Sequence, residues 1–267
     1  EEGKYYVWSY NEIKAILGKD ASLFMDYFTV YHSGNWEQNT NILFRKISVD
    51  ELAKKYNLTN QELKNQINNN KKTVVNIRSK RTKPMLDDKV ITAWNSLMIK
   101  GYVDAYRVFG EEKYLQKALI NADFLLNNVI NKNNELTRNY KNKKATIPAL
   151  LDDYAFTISA FISLYQATFD EKWLYKAKEI NDYTLLHFYD TISGMFFYTN
   201  NKYSNLIARK MEIADNVIPS SNSEMAKNLY TLGLYFDHDD YLQKSKQMFM
   251  NVQKNVQQNI RFYSNWG

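Results

Sequence analysis

The chain contains no cysteine, which excludes disulfides, thiolate metal sites and a thiol nucleophile. Proline occurs three times and glycine eight times in 267 residues, too few for a strand-rich architecture with frequent tight turns. Histidine is equally scarce. His32, His187 and His238 are too far apart in sequence for metal-ligand spacing, so neither a metal site, a cofactor nor a paired-histidine mechanism is expected. No apolar run approaches the roughly 18 residues that a membrane span requires, and no signal peptide opens the chain, so a cytoplasmic protein is expected. A strong charge of one sign is missing too: 35 Lys and Arg stand against 29 Asp and Glu, a net +6. The one tight basic cluster is Arg78-Ser79-Lys80-Arg81-Thr82-Lys83, less than the stripe that a nucleic-acid footprint needs. Nucleic acid and membrane are therefore not expected partners. Both ends read as cuts, since Glu1 is not methionine and Gly267 follows closely on a helical stretch. A fragment of a longer protein is expected.

What is present is a repeat. Glu112-Lys113-Tyr114-Leu115-Gln116-Lys117-Ala118, Glu171-Lys172-Trp173-Leu174-Tyr175-Lys176-Ala177 and Asp240-Tyr241-Leu242-Gln243-Lys244-Ser245 share one pattern. An acidic residue, an aromatic, leucine and a lysine before a small residue recur at the start of an amphipathic helix, where acidic side chains suit the helix dipole. Before each copy lies a helix of different character. Tyr154 to Phe169 carries no charge at all, Met225 to Phe236 carries only Lys227, and Val90 to Phe109 confines Lys100, Asp104 and Arg107 to one stripe. A helix that is apolar all round is buried all round. Buried helix, short turn, amphipathic helix and longer return make a helical hairpin, here repeated three times. A helix over about 60–80 reads as the outer partner of a preceding hairpin. The expected fold is all-α, a partial or complete (α/α)6-type toroid, because solenoid repeats are usually shorter, about 34–45 residues. It carries a small β-hairpin insertion, Gly194–Thr199 with Leu206–Met211 around Asn200-Asn201-Lys202. Residues 1–58 are less regular, with a strand over Lys4–Trp8, a short helix over Asn11–Leu17 and Ser48 as the cap of another. The whole is read as one domain, 1–58 irregular and 59–267 hairpins.

Parallel inner helices would open their N-termini at one mouth, where unpaired N–H groups and positive dipole ends converge. The starts are Asp87-Asp88-Lys89, Leu151-Asp152-Asp153-Tyr154 and Pro219-Ser220-Ser221-Asn222-Ser223-Glu224. Such residues commonly cap helices and do nothing more, and Ser220 or Ser221 with Glu224 resembles a capping box. One carboxylate suffices for a cap, however, so the doubled aspartates leave a second to be solvated, paired or functional. Asp88 and Asp153 are the expected catalytic carboxylates, a general acid and a base as glycoside hydrolysis requires. Asp87, Trp94, Asn95, Asp152, Tyr154, Arg209, Ser220 and Asn222 are the expected substrate contacts, with Trp94 and Tyr154 equally suited to the core. The other expectation is non-catalytic, a docking or regulatory platform. Whether the domain is an enzyme at all, of glycoside hydrolase or sugar epimerase type, stays open at this level.

The stretch Arg81-Thr82-Lys83-Pro84-Met85-Leu86-Asp87-Asp88-Lys89-Val90-Ile91-Thr92-Ala93-Trp94-Asn95-Ser96-Leu97-Met98-Ile99 resembles the signature of the spermatogenesis-associated protein 20 family, whose bacterial members are called thioredoxin-domain-containing proteins. Leu151-Asp152-Asp153-Tyr154-Ala155-Phe156, Leu206-Ile207-Ala208-Arg209-Lys210, Pro219-Ser220-Ser221-Asn222-Ser223, Glu2-Gly3-Lys4-Tyr5-Tyr6-Val7-Trp8 and Gly34-Asn35-Trp36-Glu37 resemble further family blocks, so the likeness runs from end to end. It implies a longer parent with an N-terminal thioredoxin-like domain, a partner absent here, and a helical region similar to six-hairpin N-acylglucosamine 2-epimerases and glycosidases. A sugar ligand follows from that resemblance by analogy of fold. Ser96 and Ser221 depart from the family, which usually has glycine there.

Overall fold

In the computed structural model, residues 3–203 and 208–267 are described. The chain forms two compact units, Glu1–Asp87 and Asp88–Gly267.

In the first unit, α1 (Tyr10–Leu17), α2 (Ala21–Tyr27), α3 (Val49–Lys55) and α4 (Asn60–Ser79) surround Trp8, Ile13, Phe24, Leu52, Leu63 and Ile67. Three helices begin with full capping boxes: Ser9 with Glu12, Ser48 with Glu51 and Thr59 with Glu62. The cap foreseen at Ser48 is among them. The strand expected over Lys4–Trp8 shrinks to β1 (Trp8–Ser9), antiparallel to β2 (Thr40–Asn41). At Gly34 the backbone turns with φ +80, and a Cβ would sit 2.6 Å from backbone atoms of Asn39 and Thr40; only glycine fits there. The helix read as an outer partner, α4, packs on α1, α2 and α3 of this unit.

The second unit is three hairpins. α5 (Thr92–Phe109) pairs with α6 (Glu112–Asn128), α7 (Leu151–Thr168) with α8 (Glu171–Phe188), and α9 (Ser221–Tyr235) with α10 (Asp239–Gln258). α7 lies between α5 and α9 and is buried without a break from Leu151 to Leu164, as the lack of charge from Tyr154 onward requires. Cross-contacts fix the directions. Ala93, Ser96 and Arg107 of α5 meet Asp153, Thr157 and Ser163 of α7 in rising order. Asn228 and Tyr235 of α9 likewise meet Ala155 and Gln166. The inner helices are therefore parallel. Each outer helix is antiparallel to its partner: Asn95 meets Asn121 while Tyr106 meets Glu112. α9 and α10 approach closely at Gly233, where a Cβ would stand 2.7 Å from the Leu242 side chain.

Two local expectations are corrected. Helix α5 begins at Thr92 rather than near Asp87, because Val90–Ile91 (β3) pairs with Asn139–Lys141 (β4), which pairs in turn with Lys144–Ala145 (β5). The β-hairpin after α8 joins Tyr189–Asp190 (β6) to Met195–Phe196 (β7) instead of pairing 194–199 with 206–211. Asp190 accepts the N–H groups of Ile192 and Ser193, and Gly194 takes φ +68, so the turn closes there first. Of the expected pairing, Tyr198 N–H donates to Lys210 O at 2.7 Å; Leu206 and Ile207 lie outside the described residues.

Candidate functional site

The starts of the inner helices come together through Asp153. Its side chain is fully buried, and all the bonding it makes is structural. Oδ1 accepts the N–H of Ala93 at 3.0 Å, capping α5, which has no side-chain cap of its own. Oδ2 accepts the N–H of Leu150 at 3.0 Å and an N–H of Arg138, also at 3.0 Å. Arg138 Nη1 reaches Asp152 Oδ1 as well, at 2.9 Å, and that oxygen accepts the Asp153 N–H. One guanidinium from the return after α6 thus bridges both aspartates, in partly desolvated surroundings where such bonds are strong. Burial and the neighbouring Asp152 charge push the Asp153 carboxyl upward, while Arg138 and the two backbone N–H groups oppose them. Burial works against the charge on Arg138, and the two aspartates outweigh it.

The α9 start is built differently. Ser220 caps the helix by accepting Ser223 N–H at 3.2 Å. Glu224, one residue too far along for a capping box, faces Lys227 at 3.7 Å instead. Asn222 is buried and spent: Oδ1 accepts Phe196 N–H, and Nδ2 donates to Phe196 O and Glu212 O. Asp215 and Glu212 accept the N–H groups of Ser220 and Ser221. The Ser221 hydroxyl is buried without a hydrogen-bond partner among the described residues.

Between these two starts stands Tyr198, half-buried in the bend after β7, where its carbonyl accepts the Leu151 N–H. Burial first, then the Asp152 charge, hold its phenol protonated; Glu212 adds to this and Arg138 opposes it. The mouth therefore gathers Arg138, Asp152, Tyr198 and Glu212. Asp152 is nearly covered, while Arg138, Tyr198 and Glu212 keep partial access to solvent.

The sequence-expected residues divide sharply. Asp152, Asp153, Ser220 and Asn222 do meet at the mouth but are consumed in holding it. Tyr154 is core: it stacks flat on Tyr183 and its hydroxyl accepts Leu136 N–H. Asp88 is exposed in the segment before β3, paired with Lys141 of β4 at 2.5 Å, and Asp87 belongs to the first unit. Asn95 turns back to Ile91 O, while Trp94 is 65% exposed on the α5 surface. Arg209 lies over the Phe197 ring and donates to Thr199 O. The Asp88–Asp153 pair thus has one member exposed ahead of β3 and the other with both oxygens engaged. Arg138, Tyr198 and Glu212 were missed. The one signal pointing at Arg138 is the doubled aspartate, whose second charge requires a cation.

Parallel inner helices, outer helices antiparallel to them and a mouth at the inner N-termini define an α/α toroid arc, and solved structures agree. The chain aligns with cellobiose 2-epimerase from Spirochaeta thermophila with TM-score 0.53 and 12% identity, over 67% of this chain and 48% of that one. A glycoside hydrolase family 76 mannosidase from Bacteroides thetaiotaomicron aligns with TM-score 0.52 and 17% identity, over 64% and 46%. Likeness at such identities shows the fold alone. By sequence, the chain is a homologue of spermatogenesis-associated protein 20: it is 27% identical to the Homo sapiens protein over 91% of this chain. It is also 30% identical to an uncharacterised protein of Caenorhabditis elegans over 96% of this chain. The chain spans 35% and 38% of those two relatives' lengths. No family model matches it. Among the described residues, no helix is long and apolar enough to cross a membrane, and no cluster of three or more potential metal ligands occurs.

Proposed function

We propose that the second unit is a carbohydrate-binding cleft of glycosidase or epimerase type, with the sugar seated over Tyr198 at the inner-helix mouth. The observation that carries this reading is the convergence of Arg138, Tyr198 and Glu212, all partly open to solvent, between the starts of α7 and α9. Guanidinium and phenol donors beside a carboxylate acceptor match the alternating hydroxyls of a sugar ring, and the Tyr198 ring offers a face for stacking. Sugar-processing enzymes among the fold neighbours support the ligand class. Asp152 and Asp153 act in this proposal as positioning residues that hold Arg138 and Tyr198. If chemistry occurs, Glu212 is the proton-transfer group, because it is the mouth carboxylate with solvent access. Cytoplasmic location and a neighbouring thioredoxin-like domain in the longer relatives belong to the proposal too, and the sugar contact depends on neither.

The test is calorimetric titration of the chain with neutral hexoses, uronic acids and short β-linked oligosaccharides. A sugar that binds should lose about tenfold in affinity on Tyr198→Phe, the loss of one hydrogen bond made at a charged site. Glu212→Gln should abolish any turnover while preserving the Ser221 N–H contact. Absence of binding by every sugar, with the fold intact by circular dichroism, would sink the proposal.

A further inference from the structure

Below the mouth, the side of the inner helices turned away from their outer partners is polar. On α7, Asp152, Ser159 and Ser163 recur at seven- and four-residue spacing, hence on one face. Ser159 thus lies two helical turns, about 10 Å, below Asp152. On α9, Asn228 donates to Ala155 O of α7, and Glu224 shares its face four residues earlier. On α5, Lys100 falls on the stripe of Arg107, which donates to Ser163 O and Gln166 Oε1 of α7 at 3.3 and 3.1 Å. Gln166 donates in turn to the Tyr235 hydroxyl of α9, so a hydrogen-bonded chain crosses all three inner helices. Lys100, Ser159, Ser163, Gln166, Glu224 and Lys227 line one cavity. Three of these side chains are buried yet unspent. Ser159, Ser163 and Glu224 are 7%, 4% and 6% exposed, and neither the two hydroxyls nor the carboxylate makes a hydrogen bond among the described residues. The buried Thr157 and Thr184, by contrast, bond back to the carbonyl four residues earlier. Glu224 faces Lys227 at 3.7 Å, too far for a hydrogen bond. Lys100 has no ion pair among the described residues.

Buried polar groups without partners are costly, so water or a ligand has to meet these. Charge selects the ligand. Lys100 and Lys227 against Glu224 leave the cavity one positive charge in excess, whereas at the mouth Asp152, Asp153 and Glu212 outnumber Arg138. An anionic group is thus attracted below and repelled above, while hydroxyls suit both levels. We propose that the cavity takes the uronate unit of an acidic saccharide. Its carboxylate meets Lys100 and Lys227, its hydroxyls meet Ser159, Ser163 and Glu224, and the next sugar unit lies over Tyr198. This rests on the sugar-binding reading of the mouth and gives it a substrate class. A monoanion matches the single excess charge; a phosphate monoester, nearer two negative charges at neutral pH, exceeds it.

The experiment is calorimetric titration of the chain with cellobiose, with cellobiouronic acid, which differs only in its carboxylate, and with cellobiose 6′-phosphate. The acid should bind at least about tenfold more tightly than cellobiose, the worth of one charge-assisted hydrogen bond, and more tightly than the phosphate. Lys100→Gln should bring the acid down to the level of the neutral sugar. Lys227→Gln should do the same, but it also strips Glu224 of its counter-charge, so Lys100→Gln decides the matter if circular dichroism shows the other variant disturbed. A preference for the acid that survives Lys100→Gln overturns the proposal, and so does tighter binding of the phosphate. Equal affinity for acid and neutral sugar overturns it too, while leaving the sugar site standing. Binding by none of the three also overturns it, and the wider sugar screen then decides separately whether the mouth binds sugar at all.

Discussion

At the start of α7 the helix itself supplies charge, two buried aspartates bridged by Arg138; at the start of α9 the groups it spends on its own loop and cap are hydroxyls and an amide, while its Glu224 faces Lys227. Both satisfy the N–H groups that every helix leaves unpaired, yet they bind different things. The charged start reaches sideways and caps α5 through Asp153, so two inner helices share one carboxylate. The neutral start reaches backward, with Asn222 fastened to Phe196 and Glu212 of its own return loop. The α7 start therefore holds the arc together, and the α9 start holds a loop against one helix.

The largest effect should come from breaking the charged start. Asp153→Ala strands Arg138 beside a single aspartate and leaves the Ala93 and Leu150 N–H groups unsatisfied, at a cost of about 3–5 kcal/mol. Chemical denaturation should show it, and an unchanged midpoint would mean that the arc is not joined there. Asn222→Ala breaks the neutral start. Three hydrogen bonds are lost from a buried site, costing about 2–3 kcal/mol. Exchange protection should then fall at Phe196 while Ala93 stays protected, and a loss at both would erase the distinction.

Acid probes a carboxylate that belongs to neither start. Glu135, beside the residue that bonds Tyr154 of α7, accepts from Lys202, Asn131 and Tyr183, and these contacts lower its pKa to about 2 from an ordinary 4.5. A carboxyl depressed on folding contributes stability that is complete above the unfolded value and lost as pH falls through that window. Stability should drop between about pH 4.5 and pH 2, and Glu135→Gln should flatten that drop. An identical pH profile in the variant would remove Glu135 from the account.

The hairpin architecture was legible because burial writes itself into composition: α7 carries no charge beyond the aspartates of its first turn, and the repeated acidic-aromatic-Leu-Lys pattern marks each outer helix. Helix ends were less legible. Val90 and Ile91 look like the first turn of α5, and only pairing with Asn139 and Tyr140, far along the chain, makes them a strand. The mouth was half legible. Sequence located the polar starts but could not tell a spent side chain from an available one, since that depends on partners such as Arg138 in a distant return. Tyr198 and Glu212 carry no pattern at all; a β-turn and a loop bring them in.

Asp88 and Asp153 make the sharpest contrast within one predicted pair, and the smallest expected effect tests it. Asp88 sits at the surface, and its partner Lys141 holds its carboxyl below the usual range. Exposed pairs of this kind are screened by water and salt and contribute little. Asp88→Asn should therefore leave the denaturation midpoint and any sugar affinity unchanged, under conditions where the equally isosteric Asp153→Asn lowers the midpoint clearly. Equal losses in the two variants would show that Asp88 belongs to the mouth after all. A loss of binding in Asp88→Asn with the fold intact would restore it as a ligand contact and move the cleft toward the β3–β4 sheet.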